Sequence, residues 1–337
     1  MSVRVIATVT FSVGAAFFYA TSNVLEQSEA EQIPDEYSLR PSLFFRLVRR
    51  PRWLVGFAAD AGGYLFAAIA LAFGAVVFVQ PILSSGLLIS LLLAAAINHH
   101  RFRRIDLAAA GCFSLGLAVF LLETSATGGR DIVPVHRWVI AAPVIIGVVA
   151  VLVVLGRGTR GAPRAALLGV GAGTCFGASA VLTKGFVHYF RDGPFGWLSH
   201  WEPYVMAVVI IVGFLIAQSA FQAGSLAASV AGLEATEPVV SVVFGVGLLD
   251  EHVQTNGVFD ATMVAISAAM VVAAILVLSR AGGREQAAAE AARAAEESRT
   301  ADAPAPTVER VEPVEPADPP RASAEPPEPR CAIPDIT

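Results

Sequence analysis

"LEATEPVVSVVFGVGLLDE" (residues 233–251) is an apolar run about as long as a bilayer's hydrocarbon core is thick, yet it carries Glu234, Glu237 and Pro238 near its start. A charged side chain at the centre of a spanning helix costs roughly 2.5–3.5 kcal/mol even on insertion scales. Carboxylates at this depth must therefore face protein or a wet cavity and not lipid. Glu234, Glu237 and Ser241 are spaced three and four apart, so a helix puts them on one face. Pro238 lacks the backbone donor that the Glu234 carbonyl would accept from, which reads as a helix break on that same face.

The rest of the chain has the same character. Of its 337 residues, 55% are hydrophobic and 15% charged, with a mean hydropathy of +0.64; a soluble domain carries about 25% charged residues. The pattern predicts an all-α integral membrane domain over residues 1–280, with about nine spans at 5–25, 53–71, 73–97, 105–123, 138–156, 165–185, 203–223, 226–250 and 258–279. Trp53, Trp138, Trp197 and Trp201 fall at predicted span ends, where an interfacial aromatic belt belongs. One set of alternate loops holds thirteen basic residues (Arg40, 46, 49, 50, 52, 101, 103, 104, 157, 160, 164, 280 and 284); the other holds five (Arg4, Arg130, Arg137, Lys184 and Arg191). The positive-inside rule then puts the N-terminus outside and the C-terminus in the cytoplasm of a multi-pass plasma-membrane (cell inner membrane) protein. The first apolar run is also short enough for a secretory signal, but Arg4 alone precedes it and five arginines follow, which favours a retained span.

Two segments stand outside this plan. "SLRPSLFFRLVRRPR" (38–52) is too short to cross and reads as a helix lying on the cytoplasmic leaflet, or as a basic loop. The tail, 281–337, begins with "EQAAAEAARAAEESR" (285–299), a solvated helix by alanine content and charge spacing, and ends Pro- and Glu-rich, hence disordered. It is a spacer or a recruiter of a soluble partner. Cys112, Cys175 and Cys331 form neither a disulfide framework nor a metal spacing, and His99, His100, His188, His200 and His252 include no helical metal pair. No nucleophile motif or phosphate loop occurs, so the chain reads as neither enzyme nor ATPase, with no cofactor and no nucleic-acid partner. Its partners are the lipid bilayer and a small-molecule or ion substrate.

Shifting the sequence by 157 aligns its halves without a gap. Val13-Gly14-Ala15 falls on Val170-Gly171-Ala172, Ser22 on Ser179, Val55-Gly56-Phe57 on Val212-Gly213-Phe214, and Pro81 on Pro238. Repeat one (about 5–123) and repeat two (about 165–279), joined by the span 138–156, are then inverted, the layout of secondary transporters that bind at the repeat interface. Gln80-Pro81-Ile82-Leu83-Ser84 becomes the counterpart of Glu237-Pro238-Val239-Val240-Ser241. The substrate or ion pathway is expected to use Glu237 as proton or cation site with Gln80 opposite. Glu234 and Asp60 are relays or second ligands, Ser84, Ser241, Ser22 and Asn23 polar lining, and Pro81 and Pro238 helix breaks. The plainer readings are a protonated Glu237 hydrogen-bonded between helices and an Asp60 bonded beside the tight-packing Gly62-Gly63. Lys184 reads as an interfacial side chain and Glu251 as a helix end in solvent.

"LEATEPVVSVVFGVGLLDE" resembles the closing motif of the drug/metabolite transporter superfamily, EamA-type, while "FYATSNVLEQ" (18–27) and "FGASAVLTK" (176–184) resemble its first-span motif and the repeat of that motif. The resemblance covers residues 5–280. It implies ten spans in two inverted halves around a cavity that carries small metabolites or drugs without ATP. The chain departs from it where segment 38–52 replaces the second span and where Ile97-Asn98-His99-His100 replaces the Gly-Glu helix end. A nine-span layout is also similar to NIPA-type magnesium transporters, which makes a divalent cation an alternative cargo. The other alternative is a non-transporting scaffold that recruits partners through its tail.

Overall fold

In lipid every backbone N–H and C=O has to be satisfied inside the segment, so apolar runs of this length have the helix as their only solitary solution. The computed structural model describes residues 3–74, 79, 82–98, 104–124, 126–127, 130, 132–189, 195–253, 262–278 and 280. Its helices are α1 (Val3–Ala30), α2 (Pro41–Leu47), α3 (Pro51–Phe73), α4 (Gly86–Asn98), α5 (Arg104–Glu123), α6 (Val135–Arg157), α7 (Gly161–Tyr189), α8 (Glu202–Gln222), α9 (Leu226–Leu249) and α10 (Thr262–Leu278). Seven of them (α1, α3 and α5 to α9) are long and apolar enough to cross a membrane, the make-up of a multi-pass membrane protein; α4 and α10 are shorter apolar helices. Strand pairing among the described residues is one two-residue antiparallel ladder, β1 (Ala126–Thr127) with β2 (His252–Val253). The chain divides into two units, Met1–Ala291 and Ala292–Thr337; the tail beyond 280, like Gln80, Pro81, His99 and His100, lies outside the described residues.

Starts and turns follow local chemistry. Proline opens α2 and α3, where its missing N–H has no partner to lose, and Gly224 adopts φ 85°, allowing α8 to reverse into α9 within three residues. The helices pack in two groups: α1 lies along α3, while α7 is held between α8 and α9 with α6 outside it. Contacts of α1 with α8 and of α4 with α9 join the groups.

Small residues set the closest approaches. Gly169, Gly173 and Gly177 of α7 recur every four residues against the backbone of α9. A Cβ on Gly173 would stand 2.6 Å from the Leu233 carbonyl, and one on Gly177 2.6 Å from that of Glu237. Gly169 meets the Ser229 carbonyl more tightly still, and from the other side Gly232 faces the Ala166 carbonyl at 2.8 Å. This small-every-fourth-residue pattern is how helices gain contact in a solvent as apolar as themselves.

Several expectations need correction. The span drawn at 73–97 is not one helix: α3 ends at Phe73, Gly74 is extended (φ −138°, ψ 161°) and α4 begins only at Gly86. Thr8 of α1 occupies the place a Cβ on Gly74 would need, and the Ser85 hydroxyl and amide both bond the Ile82 carbonyl in a turn before α4. Pro238 does not break α9, which continues through it, held along its length by the α7 glycines. Segment 38–52 contains a helix of only seven residues, and its Leu43 and Leu47 are buried in protein instead of facing a leaflet. The approach to it is tied to α8: Leu39 N–H donates to Ser219 Oγ, and the Gln222 amide donates to the Ile33 and Pro34 carbonyls. Trp53 is no belt residue; it is 1% exposed and donates its indole N–H to Gln218. The uniform offset of 157 is also not kept in the packing. Gly56 abuts Leu25 and Glu26, whereas its offset mate Gly213 abuts Cys175 and Phe176, the mates of Phe18 and Tyr19.

Candidate functional site

A cavity of about 510 Å³ lies between the two groups, walled by α1, α3, α5, α7, α8, α9 and the turn before α4. Of the predicted pathway residues it gathers Glu237, Glu234, Asp60, Ser84, Ser241, Ser22 and Asn23, together with Pro238. Gln80 and Pro81 fall outside the described residues. The face predicted for α9 is thus the face that lines the cavity, and the Gly173 and Gly177 contacts behind it hold the Glu237 backbone in place.

Four carboxylates enter this space: Glu26 from α1, Asp60 from α3, and Glu234 and Glu237 from α9. They lie within electrostatic reach of one another, Asp60 interacting with both Glu26 and Glu237, and Glu237 with Glu234. The described lining contains no Lys, Arg or His to balance them. The rest of the wall includes Tyr19 and Tyr64 beside the acids, the rings of Phe176, Phe214 and Phe221 from α7 and α8, and aliphatic side chains such as Leu117, Leu121 and Leu233. Tyr19 reaches in because Gly63 leaves its ring room; a Cβ there would meet it at 2.7 Å.

The carboxylates are not equivalent. Glu26 is 4% exposed and both its oxygens are occupied: Ser22 Oγ donates to one at 3.0 Å and Gln218 Nε2 to the other at 2.5 Å. Gln218 is itself oriented by Trp53, whose Nε1 donates to its Oε1 at 3.1 Å. Asp60, Glu234 and Glu237 are only partly buried and receive no such hydrogen bond among the described residues. The Ser241 hydroxyl reaches the Gly177 carbonyl at 3.4 Å, a long contact that leaves it available to the cavity. Among the described residues no group of three His, Cys, Asp or Glu is arranged to hold a metal ion.

Tyr19, Glu26, Tyr64 and Gln218 were not anticipated. Tyr19, Ser22, Asn23 and Glu26 are spaced by three, four and seven, the same rule that aligned Glu234, Glu237 and Ser241, but Glu26 lay just past the expected end of its span. Tyr64 follows Asp60 by one turn. Gln218 is brought in only by tertiary packing. Glu251, expected in solvent, is buried instead: it pairs with Lys184, and its backbone N–H returns to the Gly245 carbonyl at 3.1 Å around a left-handed Asp250 (φ 56°). Asp250 in turn holds Arg137 at 2.8 Å and Arg130 at 3.1 Å.

No protein-family model and no solved structure matches the chain. An uncharacterized protein of Corynebacterium glutamicum is 28% identical to it over 265 residues, which is 78% of this chain and 91% of that one.

Proposed function

We propose that the chain is a secondary transporter that moves a small, positively charged solute across the plasma membrane by alternating access, without ATP and without catalysing a reaction. What supports this is the cavity wall: four carboxylates from three helices, with no basic side chain in the described lining. Such a wall is unfavourable empty and is neutralised by a cation or by protons, while the ring faces accept an apolar or cationic body. The free carboxylates, Asp60, Glu234 and Glu237, exchange such a charge without breaking a protein hydrogen bond. Glu26 does not have that freedom, because Ser22 and Gln218 hold it. In this reading the helices form nine spans in two inverted repeats of the drug/metabolite, EamA-like type, with the N-terminus outside and the tail cytoplasmic.

The test is Glu237→Gln in proteoliposomes, at matched protein content, assayed against a panel of small organic amines and metabolites. Glutamine keeps the shape but neither releases a proton nor balances a cation. Flux should fall to near background and lose its pH dependence, while helicity and reconstitution stay normal. Wild-type flux with a wild-type pH profile would reduce Glu237 to a packing residue and end this reading. The acidic wall also suits a divalent cation. The absence of a metal-ready cluster among the described residues favours an organic cation, and competition of flux by magnesium distinguishes the two.

A further inference from the structure

A second cavity, away from the carboxylates, lies where α6 hands over to α7. It is lined by Arg40, Arg157, Arg160 and Arg164, by Ser38 and Thr159, and by Asp35 and Glu36. Asp35 is committed to Arg164, 3.1 Å away. Arg40, Arg157 and Arg160 have no carboxylate within ion-pair distance among the described residues, so three free guanidinium groups face one remaining glutamate. The contrast with neighbouring arginines is informative, since Arg50 and Arg52 both spend their charge on Glu29. The Nε of Arg164, buried at the cavity wall, has no hydrogen-bond partner. The N-terminus of α7 opens at the same place, adding its own positive end.

We propose that this pocket binds the phosphate headgroup of an anionic phospholipid. Guanidinium groups converging on one cavity match phosphate oxygens, which they engage through paired N–H donors. A lipid rather than a soluble phosphate is indicated by the helix that leads there. The apolar window of α6 is only 11% buried, and Val151, Val154 and Leu155, just before Arg157, are all exposed. An acyl chain lying on that face brings its headgroup level with the pocket. The site is independent of the transport cavity and of the solute it carries.

The full chain is purified and placed in phosphatidylcholine nanodiscs with and without phosphatidylglycerol, and retained phosphatidylglycerol is measured by native mass spectrometry. Wild type and Arg49→Gln, which removes one exposed charge outside the pocket, should retain it alike. At about 1 kcal/mol per basic residue near an anionic surface, Arg160→Gln should weaken retention about fivefold and Arg157→Gln/Arg160→Gln about 30-fold. Equal retention by the double variant and wild type, or equal loss in Arg49→Gln, would overturn the site. Sodium phosphate that displaces phosphatidylglycerol, or that stabilises wild type in pure phosphatidylcholine as well as the lipid does, would overturn the lipid assignment in favour of a free anion.

Discussion

Among the four acids in the cavity, hydrogen bonding separates those held in place from those left open, and the distinction is testable one side chain at a time. Glu26→Gln keeps both contacts, its oxygen accepting from Gln218 and its amide donating to the Ser22 hydroxyl, so thermal unfolding in detergent should stay close to wild type. Gln218→Leu is different, because it strands the buried indole N–H of Trp53 and one oxygen of Glu26. Two buried orphans at about 1–3 kcal/mol each predict a loss of roughly 2–6 kcal/mol and a clearly lowered unfolding midpoint. An unchanged midpoint would mean water already shares those groups. Much of this site was legible in the sequence, since Glu234, Glu237, Ser241, Asp60, Ser22 and Asn23 all reach the cavity. A carboxylate inside an apolar run has few places to go. The partner of Glu26 was not legible, because Gln218 lies 192 residues away and no local spacing encodes that approach.

For the helices, packing rather than hydropathy decides the outcome. Gly173→Ala puts a methyl group 2.6 Å from the Leu233 carbonyl, a backbone atom that cannot swing aside. Overpacking of this kind costs about 1–3 kcal/mol, and because Glu237 rides on the displaced helix, flux should fall together with stability. Gly147→Ala on α6 is the matched control. A Cβ there meets nothing within 4 Å, so the substitution should be neutral or stabilising by about 0.5–1 kcal/mol in the same unfolding assay. Hydropathy located nearly every helix because lipid forces apolar segments to satisfy their own backbones. It did not locate the end of α3 at Phe73, since "GAVVFVQPILSSG" (74–86) is as apolar as a span; the extended Gly74, packed against Thr8, follows that end. Nor did it foresee that α1 continues to Ala30. There Glu26 and Glu29 are polar enough to read as loop, yet they are buried and partnered by Ser22, Gln218, Arg50 and Arg52.

For the whole molecule, the charge asymmetry between alternate loops predicts one orientation. A reporter that fluoresces only in the cytoplasm, fused after Thr337, should be bright, and one that folds only outside should be silent at that position. The reverse pattern would overturn both the orientation and the inverted repeat proposed with it. The packing does not follow the sequence offset of 157 uniformly. Gly56 and Gly213 align in sequence but contact levels of their partner helices that differ by seven residues, since Leu25 lies seven beyond Phe18, the offset mate of Cys175. Sequence self-similarity preserved which residues are small without preserving which turns they face.

The lacing at the end of α9 has a mechanical consequence. β1 pairs with β2 across the α5–α6 and α9–α10 connections, while Arg130, Arg137 and Lys184 grip the two acids that follow Leu249. A pair of jaws stitched at one rim gapes freely only at the other. Any stroke that parts this rim has to rupture the ladder and the ion pairs at once, whereas the opposite stroke leaves them whole. In the proposed transport cycle this makes the dwell with the stitched rim shut the longer one and its opening the briefer. Under that proposal, added salt, by screening the exposed members of the stitch, should lengthen the open state of this rim.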